Sequence, residues 1–176
     1  VYVQMIDRHK DTPDQQFLKN NYSEAKQFMR SVTERNRSLV LVASAIVEAQ
    51  KQFLEQGEAF MKPLILREIA DQVGLHESTV SRITTAKTML TPRGLYELKY
   101  FFSSHVTGST GQECSSTAIS ANIKELISTE DPKKPLSDSK LTAMLAERNI
   151  EVARRTVAKY RESMGISSST DRKKVI

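Results

Sequence analysis

Two segments in the first sixty residues predict amphipathic helices, because their apolar residues recur every three or four positions. They are residues 23–35, with Ala25, Phe28, Met29 and Val32, and residues 38–56, with Leu39, Val42, Ala43, Ile46, Val47, Phe53 and Leu54. Ser38 suits an N-cap, and Gly57 suits a left-handed helix end. Pro63 fits the first turn of a third helix, where its missing amide hydrogen is not needed.

The pattern over residues 66–87 predicts a helix-turn-helix. The inward positions are Ile69, Ala70, Val73, Leu75, Val80 and Ile83. Ala70 allows the two helices to cross closely, and Gly74 supplies the left-handed turn before a second helix that begins near His76. The opposite face of that helix carries Glu77, Ser78, Ser81, Arg82 and Thr85. Short hydroxyls and an Arg suit a helix in a DNA major groove, so we expect DNA contacts from Ser78, Ser81, Arg82 and Thr85. The alternative is an ordinary helical hairpin with a polar outer face.

Residues 104–117 predict a linker, because they are rich in Ser, Thr and Gly and show no apolar period. The segment before it, residues 95–102, is short and aromatic, and its pattern leaves helix and strand open. The linker divides the chain into two expected modules and would set the reach between them.

Three short helices are predicted after the linker. The first covers 117–128, with Thr117 as N-cap and with Ile119, Ile123, Leu126 and Ile127 on one face. The second is capped by Ser137 or Asp138 and carries Leu141, Met144 and Leu145, and the third runs from about Val152 to Met164. Residues 167–176 are polar and predict a frayed tail.

The last of these helices separates apolar from basic residues. Val157, Tyr160 and Met164 fall on one side, and Arg154, Arg155, Ala158, Lys159 and Glu162 fall on the other. Because Arg pairs with guanine through two hydrogen bonds, we expect Arg154 and Arg155 to read bases, with Ala158 allowing a close approach. Lys159 and the boundary residue Arg161 are expected to contact phosphate. With Asn149 in the preceding turn, this is a second helix-turn-helix; the alternative is a solvated charged face.

Charge and cysteine content agree with a DNA-binding, cytoplasmic protein. The net charge is +5, and residues 115–176 hold twelve Lys and Arg against eight Asp and Glu. The single cysteine, Cys114, has no partner within the chain for a disulfide, which favours a reducing compartment. No apolar run is long enough to span a membrane, so no membrane partner is expected.

Enzymatic chemistry finds little support in the residues. His9, His76 and His105 are far apart, and no phosphate-binding loop or nucleophile elbow occurs, so neither catalysis nor a cofactor or metal is expected. An alternative is that the acidic residues Asp71, Glu77, Asp131 and Asp138 form the metal cluster of a recombinase or transposase. We consider that alternative the weakest.

The nonapeptide ARRTVAKYR at 153–161 resembles the signature box of the enhancer-dependent bacterial sigma factors, sigma-fifty-four, the nitrogen-regulation type. The stretches HESTVSRITTAK at 76–87, TPRGLYELKYFFSS at 91–104 and PLSDSKL at 135–141 resemble the same family. The resemblance therefore covers nearly the whole chain.

The resemblance implies an all-α fold made of a helical core-polymerase-binding end (1–60), a central helix-turn-helix region (61–103), the linker, a three-helix promoter-binding domain (118–166) and a tail (167–176). It implies that the 153–161 box reads the GG of a −24 promoter element, and that the central helix-turn-helix lies near the −12 element.

The implied partners are promoter DNA, core RNA polymerase and an ATP-dependent activator that acts mainly through an N-terminal region absent here. The first residue is Val and nothing resembles a leader, so we expect a C-terminal fragment, monomeric when alone. The alternative is a free-standing helix-turn-helix repressor that uses residues 1–60 to dimerise or to bind a ligand.

Overall fold

A computed structural model describes residues 12–102, 105–107 and 113–173. The helices are α1 (Pro13–Ala49), α2 (Lys51–Gln56), α3 (Leu66–Val73), α4 (Glu77–Thr84), α5 (Ser116–Ser128), α6 (Asp138–Glu147), α7 (Arg154–Ser163) and α8 (Ser169–Arg172), with 3-10 helices at Glu58–Phe60 and Leu98–Phe101. Two antiparallel pairs join β1 (Thr88–Thr91) to β2 (Gly94–Glu97) and β3 (His105–Thr107) to β4 (Glu113–Ser115). The predicted all-α class is confirmed, with two small hairpins added. No helix in the described ranges is long and apolar enough to cross a membrane.

The first predicted helix and residues 38–49 of the second form one helix, α1, whereas residues 51–56 of the second form α2 after a break at Gln50. α1 runs through Ser38, which lies inside it rather than at an N-cap, because neither Gly nor Pro interrupts residues 13–49 after the first position. The chain divides into two compact units, residues 1–41 and 42–176. In the first unit, the predicted apolar face lies in solvent, with Phe28 67% and Met29 65% exposed. In the second, Val42 and Ile46 are fully buried.

A buried glutamine that follows α1 connects the chain to residue 62 through two hydrogen bonds. Gln50 is 1% exposed, donates from Nε2 to the carbonyl of Lys62 (2.8 Å) and accepts from the Lys62 amide at Oε1 (3.1 Å). Gly57 ends α2 as predicted, but with φ 103° and ψ −169° rather than in the left-handed helical region. Pro63 precedes α3, whose N-cap is Ile65, instead of lying in its first turn.

Residues 95–102, which the sequence left open, form both kinds of structure. Leu95, Tyr96 and Glu97 belong to β2, which pairs with β1 from Thr88↔Glu97 to Thr91↔Gly94, and the 3-10 helix Leu98–Phe101 follows. Arg93 in the turn donates from Nε to the carbonyl of Leu54 (3.0 Å) and from Nη2 to the carbonyl of Glu55. These bonds attach the hairpin to the end of α2.

The predicted linker contains regular structure. β3 and β4 pair between His105↔Ser115 and Thr107↔Glu113, while residues 103–104 and 108–112 lie outside the described residues. Helix α5 begins at Ser116, and its N-cap is Ser115 rather than Thr117, because the fully buried Ser115 hydroxyl accepts the Ala118 amide (3.2 Å). Residues 42–176 form one compact unit.

Helices α5, α6 and α7 form a C-terminal bundle that encloses its own hydrophobic core. Its buried members are Ile119, Ile123, Leu126, Leu136, Leu141, Leu145, Ile150, Val152 and Val157. The predicted tail is partly ordered: residues 169–172 form α8, and Arg172 bonds from Nε to Oε1 of Glu130 (2.8 Å), with both side chains largely buried. The tail prediction was wrong for these residues because the charge on Arg172 has a partner far along the chain; residues 174–176 lie outside the description.

Candidate nucleic-acid interface

The predicted helix-turn-helix at 66–87 is confirmed. Gly74 follows α3 in the left-handed conformation (φ 67°, ψ 33°), and the Leu75 amide donates to the Ala70 carbonyl (3.0 Å), which closes the tight turn. His76 then caps α4, with its Nδ1 accepting the Ser78 amide (3.2 Å). Ala70 and Val80 are buried where the two helices cross, at 3% and 0% exposure.

The outer face of α4 presents most of the expected side chains to solvent. Ser78, Arg82 and Thr85 are exposed, whereas Ser81 is half-buried. Two hydroxyls already have partners: Ser78 Oγ lies 2.8 Å from His76 Nδ1, and Thr85 Oγ1 donates to the Ser81 carbonyl (2.7 Å). These hydroxyls still have acceptor lone pairs available for a ligand. Arg82 is the one cation among the four residues predicted to contact DNA.

Helix α7 presents a basic face to solvent. Arg154, Arg155 and Lys159 are exposed, and Ala158 between them is half-buried. On the opposite side, Val157 is fully buried and Tyr160 and Met164 pack against the bundle core, as predicted. Burial raises the pKa of the Tyr160 phenol. The side chains of Arg154, Arg155 and Lys159 form no ion pair within the described ranges, so all three cations face solvent.

The prediction that Arg161 contacts phosphate was wrong. Arg161 is 4% exposed and donates from Nε to Oδ1 of Asp138 (2.8 Å), from Nη2 to Oδ2 of Asp138 (3.3 Å) and from Nη1 to the carbonyl of Ile166 (2.6 Å). The hydrogen bond to Asp138 is the main reason why the pKa of this guanidinium lies above its ordinary value. Nη2 also donates to Oε1 of the exposed Glu162 (3.3 Å), while the other bonds point into the bundle, so Arg161 attaches α7 to α6 instead of facing DNA.

The turn before α7 completes a second helix-turn-helix. Asn149 has φ 61°, in the left-handed region that Asn tolerates. The Ile150 amide donates a hydrogen bond to the Leu145 carbonyl (2.9 Å). Ile150 and Val152 then enter the core at 9% and 8% exposure. The chain leaves the turn in extended form, and Ala153 starts α7 without a side-chain cap.

The acidic residues weighed as a metal cluster are not brought together. In the part of the chain that is described, no group of three or more His, Cys, Asp or Glu is arranged to hold a metal ion. Asp138 is occupied by Arg161, and Asp71 lies 4.0 Å from Arg67 in an exposed pair on α3. His9 lies outside the described residues.

Two helix-turn-helix units with exposed outer faces agree with the comparison to known families. The family described as "Sigma-54, DNA binding domain" matches residues 15–174. The chain belongs to this family.

Relatives of this sigma-54 DNA-binding domain are closely similar in sequence. It is 58% identical over 175 residues to the RNA polymerase sigma-54 factor of Acinetobacter guillouiae, covering 99% of this chain and 36% of that protein. Identity is 53% over 175 residues with the sigma-54 factor of Escherichia coli K12, covering 99% of this chain and 37% of the relative. The chain thus spans a little over a third of the length of these curated relatives.

A solved structure is similar over most of the domain. The crystal structure of Aquifex aeolicus sigmaN bound to promoter DNA matches with a TM-score of 0.65 and 40% identity, over 93% of this chain and 49% of that one. The likeness in sequence and fold together agrees with the family assignment.

Three residues of this sigma-54 DNA-binding domain escaped the sequence reasoning. Asp138, the partner of Arg161, was considered only as a cap or a metal ligand. Arg148 donates from Nη1 to Oδ1 of Asn122 within the bundle (2.8 Å). Asn122 did carry a signal, because it is a polar residue on the apolar face formed by Ile119, Ile123 and Leu126.

Proposed function

We propose that this domain gives sequence-specific recognition of −24/−12 promoters as the DNA-binding part of a sigma-54 factor. The observation that carries the proposal is the exposed face of α7, where Arg154, Arg155 and Lys159 surround the small side chain of Ala158. A helix with a flat, cationic face can approach the major groove closely enough for Arg to bond guanine.

Each predicted side chain then has a role. Arg154 and Arg155 read the GG of the −24 element, Ala158 permits the approach, and Lys159 contacts phosphate. On α4, Arg82, Ser78 and Thr85 contact DNA near the −12 element, with Ser81 beside them at the edge of the buried face. Arg161 is left out of the interface, because it is 4% exposed and its donors are bonded to Asp138, the Ile166 carbonyl and Glu162.

Core RNA polymerase is the proposed protein partner, through residues 1–60. The apolar side chains of α1 that lie in solvent in the first unit, Phe17, Phe28 and Met29, support a protein partner there. Activation by an ATP-dependent activator would depend mainly on an N-terminal region of the longer factor. The proposal includes a cytoplasmic location, a monomeric state alone and nitrogen-regulated promoters among the targets.

A free-standing repressor is the alternative, and the naming of the relatives as RNA polymerase sigma-54 factors disfavours it. Two measurements separate the two functions. The chain is mixed with core RNA polymerase and run on a sizing column, and it is titrated with duplexes that carry −24/−12 elements or the same bases scrambled. Co-elution with polymerase and preference for the promoter duplex support the proposal. A stable dimer that does not co-elute with polymerase would favour the repressor. Equal affinity for both duplexes would contradict promoter recognition.

A further inference from the structure

The C-terminal bundle contacts the segment that precedes the first helix-turn-helix, in addition to its connection through the chain. Helix α5 packs against the 3-10 helix Glu58–Phe60, and both lie within the compact unit 42–176. At this contact Asn122, 4% exposed, donates from Nδ2 to the carbonyl oxygen of Ala59 (3.3 Å). The bond joins residues that are sixty-three positions apart.

The Asn122 amide is held in one orientation from the bundle side. Its Nδ2 also donates to the Ala118 carbonyl (2.9 Å), and its Oδ1 accepts from Nη1 of Arg148 (2.8 Å). Arg148 is itself fixed by Glu125 on α5, with Nη1 to Oε2 at 3.0 Å. A buried amide with both donors and its acceptor engaged leaves no low-cost alternative orientation, since an unpaired buried polar group costs about 1–3 kcal/mol.

The acceptor side is equally well anchored. Ala59 lies between the end of α2 and Lys62, and the backbone of Lys62 is held by two hydrogen bonds to the Gln50 side chain. The hairpin that follows α4 is bonded to α2 through Arg93 and the Leu54 carbonyl. Residues 51–60 therefore carry attachments from the hairpin that follows α4 and from α5 of the C-terminal bundle.

We propose that Asn122 is a positioning residue whose bond to Ala59 fixes the separation and helical phase of the recognition helices α4 and α7. The segment 104–117 is then not the only connection that sets the distance between α4 and α7. This inference rests on the proposed function for its role on DNA, but its structural content is independent of it. Phase matters because each added base pair moves a site by 3.4 Å and rotates it by about 34° around the duplex.

A nearly isosteric variant removes the bond to Ala59, together with the Nδ2 bond to the Ala118 carbonyl. Asn122→Asp keeps an acceptor for Arg148 but places an oxygen where the donor faced Ala59. Asn149→Asp is the matched control, because it makes the same chemical change on an exposed turn residue of the same bundle, whose left-handed backbone Asp also tolerates. If Asn122→Asp loses its helical circular dichroism, Asn122→Ser replaces it, since a Ser hydroxyl still reaches the carbonyl four residues back but not Ala59.

The first readout needs no DNA. Spin labels are attached to cysteines at Gln72 on α3 and Ala143 on α6, both exposed, in a chain with Cys114→Ala, and their distance distribution is measured. The parent and Asn149→Asp should give one narrow distribution, and Asn122→Asp should give one at least twice as wide. Equal widths for all three proteins would overturn the proposal.

The second readout is the ratio of affinities for a promoter duplex and for the same duplex with one base pair inserted between the elements. We expect about a tenfold loss for the parent and for Asn149→Asp, but less than a threefold loss for Asn122→Asp; the ratio cancels the uniform effect of the added charge. If the parent does not distinguish promoter from scrambled DNA, the proposed function fails and the distance measurement alone decides on Asn122. If promoter preference holds and Asn122→Asp keeps the tenfold loss, the positioning role is overturned.

Discussion

Arg161 and Asp138 form a bidentate ion pair inside the C-terminal bundle, with Nε to Oδ1 at 2.8 Å and Nη2 to Oδ2 at 3.3 Å. The pair joins α7 to the first residue of α6, so the recognition helix is fixed to the helix that precedes it. A charged residue in the basic segment thus has a structural role, whereas its neighbours Arg154, Arg155 and Lys159 lie on the exposed face.

Removing the Arg161 side chain should lower the free energy of unfolding of the bundle. Arg161→Ala leaves the Asp138 carboxylate and the Ile166 carbonyl without their partner. Because the Asp138 side chain is 26% exposed and can be hydrated, we expect a loss of about 1.5–3 kcal/mol, below the ~3–5 kcal/mol of a fully buried pair. Urea unfolding of the full chain measures the loss. Arg155→Ala, at an exposed position on the same helix, is the control and should change the free energy of unfolding by less than about 0.5 kcal/mol. Equal stability of the two variants would contradict the assignment.

Acid should weaken the attachment of α8. The pKa of Glu130 lies below its ordinary value, chiefly because Arg172 donates hydrogen bonds to it, with a further bond from the Leu136 amide. A lowered pKa in the folded state stabilises the fold above the unfolded-state pKa of about 4.3, and this contribution is lost as the pH falls through the folded-state value.

The measurement compares unfolding free energies of the parent and Glu130→Gln between pH 7 and pH 3. The variant should be less stable at pH 7, and the difference should shrink below about pH 4.3. A difference that stays constant over this range would show that the Glu130 carboxylate is not stabilised by Arg172.

Gly74 should resist substitution for a backbone reason alone. A Cβ at this position would meet no atom within 4 Å, but φ is +67°, where an L side chain costs about 1–2 kcal/mol. Gly74→Ala should therefore lower the free energy of unfolding by about that amount in a thermal or urea melt. Gln72→Ala, at an exposed site within α3, serves as the control and should change it little. An unchanged stability for Gly74→Ala would place the turn in another conformation.

Lys159 should act on DNA without regard to sequence. Because it is exposed beside Arg155 and is expected to contact phosphate, Lys159→Ala should weaken binding to all duplexes and reduce the log–log salt slope by about 0.9. Binding is measured at several salt concentrations, with Arg161→Gln as a comparison expected to retain the parent slope if it folds. An unchanged slope in Lys159→Ala would remove this contact from the interface.

The elements that the sequence predicted correctly depend on local rules. Ala70, Gly74 and Val80 specify the first helix-turn-helix within eleven residues, and Ser137 caps α6 through its own hydroxyl and the Lys140 amide (3.3 Å). The face of α7 that packs on the core also followed from spacing alone, since Val157 is fully buried. Such features need no knowledge of distant residues.

The features that spacing missed depend on contacts between distant residues or on competition between local signals. Arg161 lies at the edge of a helical wheel, and only Asp138, twenty-three residues earlier, decides that it points inward. Arg172 likewise finds Glu130 at a separation of forty-two. Ser38 carries a capping side chain, but the helix-forming residues around it allow α1 to continue, so the local signal is overridden.

The central claim is that the exposed Arg residues of α7 read bases, and Arg155→Ala tests it most directly. The parent and the variant are titrated at fixed salt with a duplex that carries the −24 GG and with one in which GG is replaced by TT. The parent should prefer GG, and the variant should lose about 1–3 kcal/mol of that preference, with little change in its affinity for the TT duplex. An equal loss of affinity for both duplexes would contradict the claim and would reduce Arg155 to a phosphate contact.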